Sequence, residues 1–238
     1  MTATDDAPTF PPLLRGERVP PHADPFLKAV TAAMRGCDPG LVLWSDDAAK
    51  LRVALVLAPE MPLDSALGAA YAVQLGFADS LGALGPPEVA VHFEWPDRIK
   101  VNAARCGRLR YSAATADGRA EPDWLVIGLD VLMLPLRAGD PGETPDETTL
   151  YDEGCVDLTA TQMIESWSRH MLVWLNRFLD EGLAPLHRAW SEKCDTLGKP
   201  VAYPESGVFM GLDEYGNMLL RDPDGTRVVA LRRFLEVI

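Results

Sequence analysis

Between Val91 and Tyr111 the chain reads VHFEWPDRIKVNAARCGRLRY, a stretch that holds three strand-like segments and two polar turns. A first strand ends at Trp95-Pro96, a second runs through Val101-Asn102, and a third opens at Gly107. This pattern predicts a β-meander, with its charged groups crowded onto the connections, and excludes an all-helical fold.

The flanking sequence alternates between helix and strand periods. Asp24 and Pro25 suit the cap and first position of a short helix over 25–36. Gly40–Trp44 and Arg52–Leu57 read as strands separated by the polar turn Ser45-Asp46-Asp47. A long helix is predicted from Leu63 to about Leu84, with a stripe of Leu67, Ala70, Tyr71, Gln74, Leu75 and Ala78. After the meander, Asp123–Leu129 begins an apolar strand that extends toward Leu134. Residues 135–149 are rich in proline, glycine and acid, and read as an exposed loop. Helical periodicity returns over 158–181, ending at Gly182 as a cap glycine, and a further helix is predicted over 184–196.

From Ala202 the period changes again. Gly207–Asp213 and Asn217–Arg221 flank the turn Glu214-Tyr215-Gly216, and Asp222–Gly225 turns into a third strand over Thr226–Leu231. So small a β-module is expected to pack on the main body. The chain is thus read as an extended arm over 1–23, an α+β domain with a mixed sheet over 24–200, and a C-terminal β-module over 201–238.

Composition narrows the function. With 47% hydrophobic residues among 238, a substantial core is affordable. A net charge of −13 disfavours nucleic acid and anionic membranes as partners, although a local pocket can still be positive. No apolar run reaches the roughly 18 residues of a membrane span, and the opening residues lack a basic-then-apolar leader pattern. Cys37, Cys106, Cys155 and Cys194 form no C-x-x-C pair, so neither a zinc ribbon nor a disulfide scaffold is expected. Idle thiols in a reducing cytoplasm are the simpler reading.

The segment Glu94-Trp95-Pro96-Asp97-Arg98, then Val101-Asn102, then Arg105-Cys106-Gly107-Arg108-Leu109, resembles the Lys-Trp-Pro-Asn-Asp…Val-Asn…Lys-x-Gly-Gly-Ile-Leu segment of biotin protein ligases. The likeness continues through Leu55–Glu60, Trp124–Gly128, Gly182–Pro185 with Trp190, and Gly211–Leu220, in family order along most of residues 40–238. It implies a class II synthetase-like biotin/lipoate ligase domain with an SH3-like C-terminal module. It also implies a protein that binds or adenylates a small carboxylic acid, using ATP and Mg, for transfer to a lysine of a biotinyl, lipoyl or acyl-carrier domain. Arg105 stands at the position of the family's catalytic lysine, which steadies carboxylate and phosphate oxygens. Trp95, Pro96, Asp97, Asn102, Gly107, Arg108 and Gly128 stand at positions that shape the ligand site.

The departures are equally specific. Arg105 replaces lysine, and a guanidinium is a planar fork, not a point charge. Arg108 replaces the second glycine of a pair that lets backbone approach the ligand. Between the first two core strands the family carries a glycine- and arginine-rich loop that closes over biotin and adenylate; here Ser45–Leu51 (SDDAAKL) contains neither residue type. Biotin or lipoate as such is therefore not the expected ligand. The alternative is a non-catalytic protein that keeps the scaffold and binds a ligand or a carrier domain.

Other constellations carry less. Arg98, Lys100, Arg105, Arg108 and Arg110 make either a basic pocket for an anion or a solvated basic face. Cys106 beside Arg105 reads as an activated thiol or, more simply, a buried core residue. His92-x-Glu94 lacks the cysteine pair that a zinc deaminase needs, and no metal-ligand set is evident. His170 and His187 read as structural, and Trp167, Trp174 and Trp190 as core anchors. The acids Asp152, Glu153 and Asp157 approach a helix start, where the macrodipole favours them.

Overall fold

Seven strands form the main sheet: β1 (Arg15–Val19), β2 (Leu41–Ser45), β3 (Lys50–Leu57), β4 (Val91–Glu94), β5 (Arg98–Val101), β6 (Ala104–Ala113) and β7 (Leu125–Leu132). They lie in the order β1-β2-β3-β7-β6-β5-β4 in the computed structural model, which describes residues 7–135 and 146–237. Only the β1–β2 pair is parallel, so the sheet is mixed, as the sequence predicts. Within the N-terminal arm, residues 15–19 are β1 and extend the sheet beyond β2. Helix α1 (Pro25–Met34) starts where its cap demands, with the Asp24 carboxylate accepting from the Phe26 amide at 2.9 Å.

The predicted helix over 63–84 is two segments, α2 (Leu63–Ala66) and α3 (Ala69–Leu84). Nor does α3 present a single stripe: Ala69 to Ala78 are all buried. It is the central helix, with the sheet on one side and α4 (Ala160–Glu181) and α5 (Ala184–Glu192) on another. Three tryptophans tie these layers together through their indole N–H groups. Trp167 donates to the Val73 carbonyl (3.2 Å), Trp190 to Gln74 Oε1 (2.7 Å) and Trp174 to Asp79 (2.6 Å). The anchor role predicted for them holds. Thr159 and Gln162 close a reciprocal capping box at the start of α4, and Gly182 ends it at φ 74°.

The small sheet comprises β8 (Pro200–Val201), β9 (Gly207–Leu212), β10 (Met218–Asp222) and β11 (Gly225–Val229), all antiparallel, followed by a 3-10 turn at Leu231–Phe234. Its apolar face, through Phe209, Leu212, Leu220 and Val229, joins the same core as the main sheet. The Gly216 carbonyl accepts from both Tyr71 Oη (2.5 Å) and Trp95 Nε1 (3.0 Å), so the module is bolted to α3 and to the meander. No helix among the described residues is long and apolar enough to cross a membrane.

Candidate functional site

Helices α3 and α4 cover one face of the sheet; α1 covers only part of the other, over β2, β3 and β7. The uncovered part is a groove of about 390 Å³. Eight of its twelve lining residues are charged: Lys50, Arg52, Arg105, Arg108, Arg110, and Asp24, Asp130, Glu147. Strand alternation places them there. Leu51, Val53 and Leu55 of β3 point into the α3/α4 core, and so do Ile127, Leu129 and Val131 of β7, leaving Arg52 and Asp130 for the opposite face. Arg52, Asp130, Arg108 and Arg98 are successive cross-strand partners, and Glu94 completes the row, so one charged belt crosses five strands.

Most of these charges are spoken for. Arg110 is clamped by Glu236 (2.8 and 2.6 Å) and Asp24 (2.7 Å), with its guanidinium 4.2 Å from the Phe26 ring centroid. Arg52 reaches Asp24 at 3.4 Å and Asp130 at 3.5 Å. Arg105 pairs with Glu147, while its backbone exchanges hydrogen bonds with Asp146 and Thr148. That pair is open to solvent, where an ion pair is worth little. Lys50 and Arg108 make no ion pair among the described residues.

The carboxylates respond to this setting in opposite directions. Burial would raise Asp24, but its hydrogen bond and ion pair with Arg110 prevail and hold it below the ordinary aspartate value. Asp130 is raised by burial, which Arg52, Arg110 and Arg108 only partly offset. Asp97 is likewise raised by burial, against the hydrogen bond it accepts from Tyr203 Oη at 2.8 Å.

Of the residues assigned by resemblance, Arg105, Gly107 and Arg108 line the groove. A Cβ at Gly107 would lie 2.5 Å from the Asp130 carbonyl, so the backbone approach there is between strands. Five others fall outside the groove lining. Trp95 is buried against the C-terminal module, in edge contact with Phe234. The Pro96 carbonyl accepts from Tyr111 Oη at 2.7 Å. Asn102 braces its hairpin, its Oδ1 accepting from the Ala90 amide (3.0 Å) and its Nδ2 donating to Glu153 (2.7 Å). Gly128 lies beneath α1, where a Cβ would come within 2.7 Å of the Phe26 ring. Asp97 stands outside the lining too, turned to Tyr203.

The structure decides several readings of charge and chemistry. The basic residues of the meander sit largely on strands, not on connections. A register shift between Ile99 and Lys100 sets Lys100 opposite Arg105, and Lys100 is spent on Asp195 at 2.5 Å. Arg98 stacks on Tyr203 and pairs with Glu94 at 3.1 Å. The basic cluster therefore divides, and only Arg105, Arg108 and Arg110 line the groove. Burial pushes the Cys106 thiol up to about 12, which removes it as a nucleophile. Asp152 and Glu153 accept from Thr149 and Thr148 and so pin a turn, while α4 begins later at Ala160. His170 bonds back to the Ser166 carbonyl of its own helix at 3.0 Å. Residues 136–145 of the predicted loop lie outside the described residues, and Thr148 and Thr149 at its end are buried.

The sequence reading overlooked Asp24, Lys50, Arg52 and Asp130 as groove residues. A signal was present: Lys50 and Arg52 alternate at the start of the otherwise apolar strand KLRVALVL, and Asp130 is the single charge in LVIGLDVL.

Where the resemblance implies a phosphate-holding loop, β2 and β3 are joined by a turn of residues 46–49. Asp47 accepts from the Ala49 amide (3.0 Å) through its carboxylate and from the Lys50 amide (3.2 Å) through its carbonyl, and Asp46 pairs with Arg18 (2.8 Å). With those amides already bonded and two acids in place, the turn does not fit a triphosphate.

A family model described as the biotin/lipoate A/B protein ligase family matches residues 10–192. The biotin--[acetyl-CoA-carboxylase] ligase of Paracoccus denitrificans is 23% identical over 193 residues, spanning 78% of this chain and 80% of that protein. Among solved structures, a biotin protein ligase-like protein of unknown function from Silicibacter sp. TM1040 superposes with a TM-score of 0.90 at 46% identity, covering 97% of this chain and all 100% of the other. Biotin protein ligase from Aquifex aeolicus in complex with biotin and ATP gives 0.69 at 15% identity, covering 91% and 95%, a likeness of fold alone. On its match over three quarters of the sequence, the chain belongs to the biotin/lipoate A/B protein ligase family.

Proposed function

We propose that this protein is a divergent member of its family that binds a small carboxylate-bearing ligand in the groove over β3, β7 and β6. The observation that carries the reading is Arg108, an exposed guanidinium on the groove with no ion-pair partner among the described residues. A planar donor fork beside further cations suits a carboxylate, which it can bind through two parallel hydrogen bonds. The groove volume is within the usual range for small-molecule sites. Arg105 would join the ligand by exchanging Glu147 for it. The free thiols agree with a cytoplasmic setting.

A second reading is ATP-dependent activation of that acid for transfer to a carrier-domain lysine. It is favoured by the fold shared with ligases that bind biotin and ATP, and opposed by the acidic β2–β3 turn. Isothermal titration with biotin, lipoate, octanoate and shorter acids, each with and without Mg-ATP, separates the two. Binding of an acid that is weakened in Arg108→Gly and indifferent to ATP supports the binding protein. Binding that requires ATP, with release of pyrophosphate, supports the ligase. No acid binding by a folded sample rejects both.

A further inference from the structure

We propose that the ligand is a short dicarboxylic acid, one carboxylate held by Arg108 and the other by Lys50. This rests on the carboxylate reading above and names its substrate class.

The first argument is charge pairing. Arg110 is answered by Asp24 and Glu236, Arg52 by Asp24 and Asp130, and Arg105 by Glu147. Lys50 and Arg108 make no ion pair among the described residues, Arg108 facing Asp130 only as its cross-strand neighbour, and a ligand that meets both cations carries two negative groups.

The second argument is spacing. Arg108 is the β6 partner of Asp130, and Lys50 is the β3 partner of Leu132, two residues farther along β7. Two strand spacings across and two residues along place their Cα atoms about 12 Å apart. Side chains standing roughly perpendicular to the sheet keep their charged ends at about that separation, which a diacid with a few carbon atoms between its carboxylates spans. Asp130 lies in the belt beside Arg108 and repels an anion placed over it, so the negative groups of a ligand divide to either side.

The third argument is the floor. Small-molecule pockets are ordinarily lined by apolar side chains, whereas here most of the lining is charged. An octanoyl chain or a bicyclic apolar body laid on this surface would strip water from charged groups without pairing them. A ligand polar at both ends avoids that cost.

The test compares acids that differ only in the second carboxylate: glutarate against pentanoate, and adipate against hexanoate, with octanoate as the apolar control. Titrations use the full chain at fixed ionic strength. At least one dicarboxylate is expected to bind roughly tenfold tighter than its monoacid, the scale of one added charge-assisted contact. Arg108→Gly and Lys50→Gln should each shrink that ratio to about twofold or less, with thermal melts confirming that both variants fold. Equal binding of mono- and diacids, tightest binding of octanoate, or a ratio unchanged in both variants would overturn the dicarboxylate assignment while leaving the carboxylate reading intact. Binding of no acid at all would overturn both.

Discussion

The two faces of the main sheet are made by the same strands and have become opposites. On one, Leu51, Val53, Leu55, Ile127 and Leu129 disappear beneath α3 and α4. On the other, the intervening Arg52 and Asp130 remain at the floor of a groove that α1 leaves open. Period-two alternation makes the faces independent: a substitution on one need not disturb the packing of the other. This is how the chain can retain a family's scaffold while its charged face departs from the family pattern at Arg105, Arg108 and the β2–β3 turn.

The comparison breaks most severely on the covered side. Trp190→Ala removes an indole that is fully buried against Tyr71, Phe93 and Phe209, and orphans Gln74. A loss of about 4 kcal/mol is expected, measurable by urea unfolding. Arg110→Met tests whether the charged face also contributes to stability. It leaves Asp24 and Glu236 facing each other's charge without their common partner, and a cost of about 3 kcal/mol is expected in the same measurement. Gly128→Ala probes the part of the open face that α1 does cover, where the new methyl meets the Phe26 ring. It should cost about 2 kcal/mol and leave ligand binding intact if the groove is the site.

Arg108→Gly is the sharpest contrast. The side chain is exposed and makes no ion pair among the described residues, so stability should fall only by about 1 kcal/mol, the cost of glycine within a strand, while carboxylate affinity falls. A melting temperature that dropped as far as in Arg110→Met would show that Arg108 is structural.

Within the groove, Asp24 and Asp130 should carry opposite pH signatures. Asp24 is held below the ordinary value of 3.8, so its contribution is present above that value and is lost as pH falls through its lower folded value. Asp130 is held above 3.8, so its contribution is present below that value and is lost as pH rises through its higher folded value. In melting curves from pH 2.5 to 7, Asp24→Asn should lower stability at neutral pH and flatten the acid limb. Asp130→Asn should be neutral or stabilising at pH 7; a large loss there would show that the Arg52 pair outweighs burial.

The elements were readable because they depend on neighbours close in sequence. Asp24-Pro25 begins α1, Gly182 ends α4, and the apolar repeat through Trp167 and Met171 finds its core as expected. The α2–α3 division was hidden because the apolar pattern of Leu63–Leu84 runs unbroken through Leu67-Gly68. The site was less legible for a different reason. Resemblance assigns Trp95 and Asn102 to a ligand site, but their polar groups are consumed by Gly216 and by Ala90 and Glu153. Such partners lie from 12 to 121 residues away, beyond any local pattern.

The sequence alone determined the family, most of the order of strands and helices, and the identity of the altered residues, since each is written in local periodicity or in a contiguous motif. Tertiary structure decided which charges are spent and which are left. One register shift in the meander separates Lys100 from the groove, and the chain's last residues return to bind Arg110 through Glu236. Electrostatic pairing depends on distances across strands and between chain ends, so only the assembled sheet could show that Lys50 and Arg108 lack ion pairs among the described residues of the groove.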